Sequence, residues 1–241
     1  RGRSLCTHPP ILVYESLDIH RLLLGKGPVG ISLRLLEGWL AKRASALITS
    51  SPAFVTHYFE ERSRVQLPVR IVENKVYAPG FKEPDPSLSR REGPPWRIGW
   101  FGIIRCRKSL LLLKELATYR HGEVHTAIRG KHAHFSWSID MYEEGFNSAW
   151  LLPNRLYEGG LYNTVPIALK SVETGRFLKR LGLGVTLGDP PDSHLKSFFR
   201  NLTKKQYETL EKNAMEISAF QWRCDPEECV ALVEYLKALK K

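Results

Sequence analysis

Apolar positions along the chain follow two periods. Short unbroken runs have the length of buried strands: "PILVYE" at 10–15, Leu47-Ile48-Thr49, and "VRIVEN" at 69–74. Between them, "ISLRLLEGWLAKRASA" at 31–46 repeats its apolar residues at helical spacing. Ser51-Pro52 opens a second helix over about 52–62, with serine as N-cap and proline at the first helical position. A further set of strands is predicted at about 97–102, 123–129, 148–152, 165–169 and 183–187. Helices near 108–118, 154–163 and 173–181 fall between or after them. The tail reads as two helices, about 203–219 and 226–239. The second opens on Asp225-Pro226-Glu227-Glu228 and closes on Lys237, Lys240 and Lys241, charges that complement the helix dipole.

Strands that alternate with helices predict parallel α/β structure. The stretch "APGFKEPDPSLSRREGPPW", 78–96, is rich in proline, charge and small residues and reads as a linker. The expected organisation is therefore a Rossmann-like lobe over 1–77, the linker, and a second Rossmann-like lobe with C-terminal helices over 97–241. The first lobe offers three strands, fewer than a complete nucleotide-binding lobe usually has. The chain also begins at Arg1 rather than Met. Together these lead us to expect an incomplete first lobe, with its upstream part outside this sequence. There is no internal repeat.

Composition changes the picture mainly through charge. The 241 residues carry a formal net charge of +11. Such a balance suits polyanions, an anionic membrane surface or phosphorylated substrates, and equally a solvated basic surface. The aromatic residues are not interleaved with Lys and Arg in a nucleic-acid-binding motif, so nucleic acid is not an expected partner. The spacing of the four cysteines matches no zinc or redox pattern, which suggests reduced thiols in a cytoplasmic protein. No apolar run approaches a membrane span and no signal peptide is evident.

Four places could carry chemistry. In "WRIGWFGIIRCRKSLLLLKELA" a strand bends at Gly102, and Arg105, Arg107 and Lys108 gather at the start of a helix. Cations are disfavoured at a helix N-terminus unless an anion offsets them, so a phosphate site fits; side chains directed into solvent fit too. In "AWLLPNRLYEGGLYNTVPIALKSVETG" Arg155 and Glu158 share one helix face, just after an expected strand end. There a carboxylate can accept from a ribose diol and an arginine can hold phosphate; a local ion pair explains the two equally well. Thr174 and Gly175 follow the next strand and offer amides before another helix. In "VYESLDIH", Glu15 and Asp18 follow a first-lobe strand with His20 nearby. They are candidates for a base or a sugar-hydroxyl acceptor, or simple loop acids.

These segments, in this order, resemble the GT-B glycosyltransferases of the large retaining, family-4-like group. "LITSSPAFVTHYF" with "LPVRIVENKV" resembles the end of that group's first lobe. "RIGWFGIIRCRKSLLLL" resembles its glycine turn with basic residues. "NRLYEGGLYNTVPIA" resembles its (Lys/Arg)-x-x-Glu helix and following strand, and "ETGRFLKRLGLGVTL" the next helix and strand. The similarity covers essentially the whole chain and is greatest to bacterial enzymes that build surface polysaccharide or exopolysaccharide. It implies a GT-B fold and transfer of a sugar from a nucleotide-sugar donor to a glycan or lipid-linked acceptor. It implies that Gly102, Arg105, Lys108 and Arg155 bind the donor diphosphate, and that Glu158 binds the ribose. Thr174 and Gly175 would lie near the donor. Glu15 and Asp18 would stand where relatives place a catalytic or acceptor-side His or Asp. With no Asp-x-Asp motif in a suitable setting, neither a metal nor a cofactor is expected. The expected location is cytoplasmic, peripheral on the anionic inner face of the plasma membrane. The sequence departs from the group in two places. Trp150 stands where many members carry a glutamate eight positions before the ribose-binding one, and the glycine-rich loop early in the first lobe is missing. A non-catalytic nucleotide-sugar-binding module is the alternative reading.

Overall fold

The computed structural model describes residues 11–80, 94–101, 107–119, 124–127, 137–140 and 145–239. The chain divides into two units, residues 1–73 with 227–241, and residues 74–226. Most of the expected linker, 81–93, lies outside the described residues.

The first unit is a parallel sheet with helices. Its strands are β1 (Val13–Ser16), β2 (Ala46–Thr49) and β3 (Val69–Ile71), in the order β1-β2-β3. The middle strand is apolar or hydroxylic throughout and fully buried, as a strand covered on both faces must be. Helix α1 (Pro28–Ala41) connects β1 to β2. After β2, Ser51 caps the next helix by accepting from the Ala53 amide, and Pro52 takes the first position. The helix α2 (Pro52–Phe54) then widens into a π-helical segment, Val55–Ser63. The wider turn brings residues five apart onto one side, here Tyr58 and Ser63. It ends at Arg64, whose left-handed backbone (φ 55°) returns its amide to the Phe59 carbonyl.

In the second unit β4 (Val76–Tyr77) is a short strand whose partner lies far along the chain. The main sheet holds β5 (Trp96–Gly99), β6 (Val124–Ala127), β7 (Trp137–Asp140), β8 (Val165–Leu169) and β9 (Val185–Leu187), all parallel, in the order β6-β5-β7-β8-β9. The helices are α3 (Arg107–Tyr119), α4 (Phe146–Trp150), α5 (Asn154–Leu161), α6 (Glu173–Leu181), α7 (Pro191–Asn201) and α8 (Lys204–Glu216). Strand β10 (Arg223–Cys224) pairs with β4, and α9 (Pro226–Ala238) follows, belonging to the first unit from Glu227 on. Alternation along β8 divides the core. Val165, Ile167 and Leu169 join Trp96, Trp137 and Phe199 on one face, while Ala168 joins Tyr157, Leu178 and Trp222 on the other. Both faces are covered, which is a doubly wound arrangement. These two parallel-sheet units agree with the α/β, two-lobe fold expected from the sequence.

One expected element is corrected, and two observed ones were not expected. The segment 148–152 is not a strand: it falls partly in α4, where Phe146 and Trp150, four apart, stack at 5.1 Å. A short apolar run cannot distinguish helix from strand by period, and here the aromatic pair settles on the helical one. The strand in that place is β7, "WSID", whose two apolar residues gave no run to detect. Helix α7 was also not foreseen, although Pro191 at its start and the pair Leu195 and Phe199 mark it.

Candidate active site

In open α/β sheets ligands bind beyond the carboxyl ends of the strands, near the point where strand order reverses. In the second unit that point lies at β5, flanked by β6 and β7. Beyond β5 the chain continues into Trp100, which is buried. The guanidinium carbon of Arg155 stands 5.3 Å from the centroid of the Trp100 ring, within cation–π reach. Arg155 therefore meets the end of β5, not the end of a strand directly before it. Leu151 and Pro153 are extended, and Asn74 donates to the Leu152 carbonyl at 2.9 Å, fixing the entry into α5. Buried Leu156 and Tyr157 anchor α5, leaving Glu158 exposed one turn beyond Arg155 on the same face.

The start of α6 fits against the end of β8. Thr174 and Gly175 are buried there. A Cβ at position 175 would lie 2.0 Å from the Leu169 carbonyl oxygen, so only glycine permits the approach. Beside them Glu173 is buried, accepting from Arg176 Nε at 2.9 Å and Arg180 at 3.2 Å. Its carboxylate in the first turn suits the helix dipole. The sequence reading missed this carboxylate; the spacing Glu-x-x-Arg-x-x-x-Arg on one helix face was its signal. Beyond β8 and β9 opens a cleft of ≈ 430 Å³, lined by Leu169, Lys170, Ser171, Leu187, Gly188, Asp189 and Pro191. The Gly188 amide donates to His194 Nδ1 at 2.9 Å, tying the cleft wall to α7. Lys170, Ser171 and Asp189 supply a cation, a hydroxyl and a carboxylate that sequence reading did not single out.

Gly102 and Arg105 lie outside the described residues. Arg107 and Lys108 are exposed in the first turn of α3. Trp150, at the position of the group's earlier glutamate, is a buried packing residue of α4.

In the first unit Glu15 is not in a loop. It is the third residue of β1, exposed and in register with Ile48. The strand runs on to Ser16 because Ser16 pairs with Thr49, whose hydroxyl also donates to the Ser16 carbonyl at 2.8 Å. Asp18 does lie beyond the strand end and is exposed. The Ser50 hydroxyl holds this loop, donating to the Leu17 carbonyl at 3.0 Å.

One polar cluster in this unit was not read from the sequence. Tyr14 and Tyr58 each donate to Glu37 of α1 at 2.6 Å, and the Ser63 hydroxyl donates to the same carboxylate. Burial first, and then the bond to Glu37, push both tyrosine hydroxyls above their ordinary value of about 10. A group whose pKa rises on folding stabilises the fold in full below its unfolded value, and less as pH climbs above it. Denaturation midpoints are therefore expected to fall as pH rises beyond about 10, and less steeply in Tyr58→Phe. Equal slopes for the two proteins between pH 10 and 11.5 would refute a linkage through Tyr58.

No protein-family profile matches the chain. It is 39% identical over 268 residues to the succinoglycan biosynthesis protein ExoL of Rhizobium meliloti (strain 1021), an alignment that covers 95% of this chain and 66% of that protein. Among solved structures it resembles Anabaena HepE in complex with UDP and glucose, with a TM-score of 0.65, 16% identity, and 95% of this chain and 72% of that one covered. It also resembles WaaG, a glycosyltransferase involved in lipopolysaccharide biosynthesis, with a TM-score of 0.61, 13% identity, and 93% and 75% covered. The chain has the GT-B fold that these structures share. The chain spans 66% of the length of its curated relative.

Proposed function

We propose that this protein transfers a sugar from a nucleotide-sugar donor to a glycan or lipid-linked acceptor during exopolysaccharide assembly. One observation carries the reading: Arg155 is held over Trp100 at the end of β5, with Glu158 on the same helix face. Kinship to ExoL and the UDP and glucose in HepE support it. In the reaction the bond from the sugar's anomeric carbon to the diphosphate oxygen breaks. A bond to the acceptor oxygen forms, and the acceptor hydroxyl loses its proton. Negative charge grows on the leaving diphosphate, and positive charge fixed beforehand stabilises it.

We assign Arg155, Lys108, Arg105 and Gly102 to that diphosphate and Glu158 to the ribose hydroxyls. Thr174 and Gly175 border the donor, and Lys170 joins them from the cleft. These cations take the part a metal plays in other transferases, and the reading includes no metal or cofactor. Of the first-unit acids, Asp18 is better placed than Glu15 to accept a proton, because it stands beyond the end of β1. Among the described residues no helix is long and apolar enough to cross a membrane. We place the protein on the cytoplasmic face of an anionic membrane, where its positive charge meets lipid-linked acceptor.

Thermal denaturation with a panel of nucleoside diphosphates tests this reading. One diphosphate is expected to raise the melting temperature of the intact chain by mass action. Arg155→Ala and Glu158→Ala should each weaken its binding by roughly 10- to 100-fold, the loss of one charge-assisted hydrogen-bond pair. No response to any nucleotide, or an unchanged response in both variants, would overturn the assignment.

A further inference from the structure

Helix α1 turns its two charged residues, Arg34 and Glu37, towards the rest of the unit. Glu37 receives Tyr14, Tyr58 and Ser63. Arg34 donates to the carbonyls of Leu23 at 2.5 Å and Gly25 at 2.7 Å. Gly30 is buried, since a Cβ there would meet the Gly25 carbonyl oxygen at 2.3 Å. The other side of the helix carries Val29, Ile31, Leu35, Leu36, Trp39 and Leu40, between 46% and 71% exposed. At 3.6 residues per turn these six span about half the circumference. The usual arrangement of a surface helix is the reverse, with the apolar stripe facing the core.

Charge tells what this face suits. Arg21, Lys26, Lys42 and Arg43 are exposed at the two ends of the patch. The Arg43 guanidinium lies 4.1 Å from the centroid of the Trp39 ring. Between residues 21 and 43 the sole acid is Glu37, which is turned inward. Within residues 21–43 the exposed positions thus offer aliphatic bulk, one tryptophan and four cations, and no acid. A helix of this composition lies in the plane of an anionic lipid interface, with its apolar side at the acyl boundary and its cations among the headgroups. A second copy of the chain would instead bring four cations against four.

We propose that α1 is the element that seats this protein on an anionic lipid surface, through the exposed face from Val29 to Leu40. The inference deepens the membrane contact proposed above and rests on that reading for the acceptor's location.

Trp39 makes the test specific. It is 53% exposed, while the other five tryptophans are 7% exposed or less. The intact chain is mixed with vesicles of phosphatidylcholine alone or with 30% phosphatidylglycerol, with and without brominated acyl chains. The expected result is co-sedimentation with the anionic vesicles at low salt that declines as salt rises. Trp39 emission should shift to the blue and be quenched by the bromolipid. Leu35→Glu should lower the bound fraction at least tenfold, with the melting temperature and nucleotide response unchanged. Lys42→Glu with Arg43→Glu should abolish the preference for anionic lipid. Absence of sedimentation at any lipid composition would overturn the proposal, as would sedimentation without bromolipid quenching. So would a concentration-dependent dimer that Leu35→Glu dissolves, because that puts a second copy on α1. A chain extended to the length of its relative, with Trp39 shielded from aqueous quencher and no vesicle binding, would put protein there instead. Nucleotide response reads the second unit, so its survival alongside lost vesicle binding refutes this inference alone.

Discussion

Gly175→Ala is expected to destabilise the second unit by about 3 kcal/mol, the upper part of the range for overpacking a filled core. The added Cβ would sit 2.0 Å from the Leu169 carbonyl oxygen, 2.9 Å from its carbon and 3.1 Å from the Lys170 Cα. All three are backbone atoms at the end of a buried strand, so no side-chain rotation relieves the contact. Either α6 withdraws from β8 or β8 gives way, and Leu169 and Val165 tie β8 into the core. For a unit of this size the melting transition should drop by roughly 6–12 °C. Gly182→Ala separates contact from backbone strain. Gly182 closes α6 in a left-handed conformation (φ 63°), yet a Cβ there meets nothing within 4 Å. Its cost should be about 1 kcal/mol, from the conformation alone. Equal losses in the two variants would show that α6 is not seated on β8 as described. Because Thr174 and the cleft residue Lys170 lie at the same junction, Gly175→Ala should also blunt the nucleotide response, and Gly182→Ala should leave it unchanged.

The junction of β8 and α6 was legible in the sequence for the same reason that it is rigid. Val165 to Leu169 is a five-residue apolar run, and the helix after it alternates buried and exposed positions at a clear helical period. Both elements lie where the pattern put them. Between β6 and α5 the pattern misled: the apolar run of 148–152 is helical at its start, and the strand hides in a segment with two apolar residues. Arg155 was assigned to the right helix but the wrong neighbour. Its partner Trp100 stands 55 positions earlier, and nothing local in a sequence announces such a pairing. The cleft residues Lys170, Ser171 and Asp189 belong to connections after strands, where no period exists to mark them. Helix α1 shows a different limit. Its period was plain from the spacing, but the direction of its face depends on three hydroxyls from other elements that claim Glu37. Periodicity shows that a helix has two faces; the partners of its polar residues decide which one turns inward.

That dependence makes Glu37 the residue with the most to lose in the first unit. Glu37→Ala is expected to cost about 3 kcal/mol or more, because it strands the Tyr58 hydroxyl in the interior and removes the acceptor of Tyr14 and Ser63. Glu37→Gln should recover little of this. One carboxylate oxygen serves Tyr14, and the other serves Tyr58 and Ser63 together. An amide offers one acceptor oxygen and turns its NH₂ towards at least one hydroxyl donor. That hydroxyl can accept from the NH₂, but its own proton then loses the partner it has in Glu37. Denaturant titrations of wild type, Glu37→Ala and Glu37→Gln decide it: both variants should lower the midpoint of the first unit by similar amounts. Recovery of wild-type stability in Glu37→Gln would mean that one acceptor suffices. Loss of the anchor should also free α1 to turn its apolar face inward. In Glu37→Ala, emission from Trp39 should then move to the blue without any lipid present. A helix is held apolar side out only while something inside holds its polar side in.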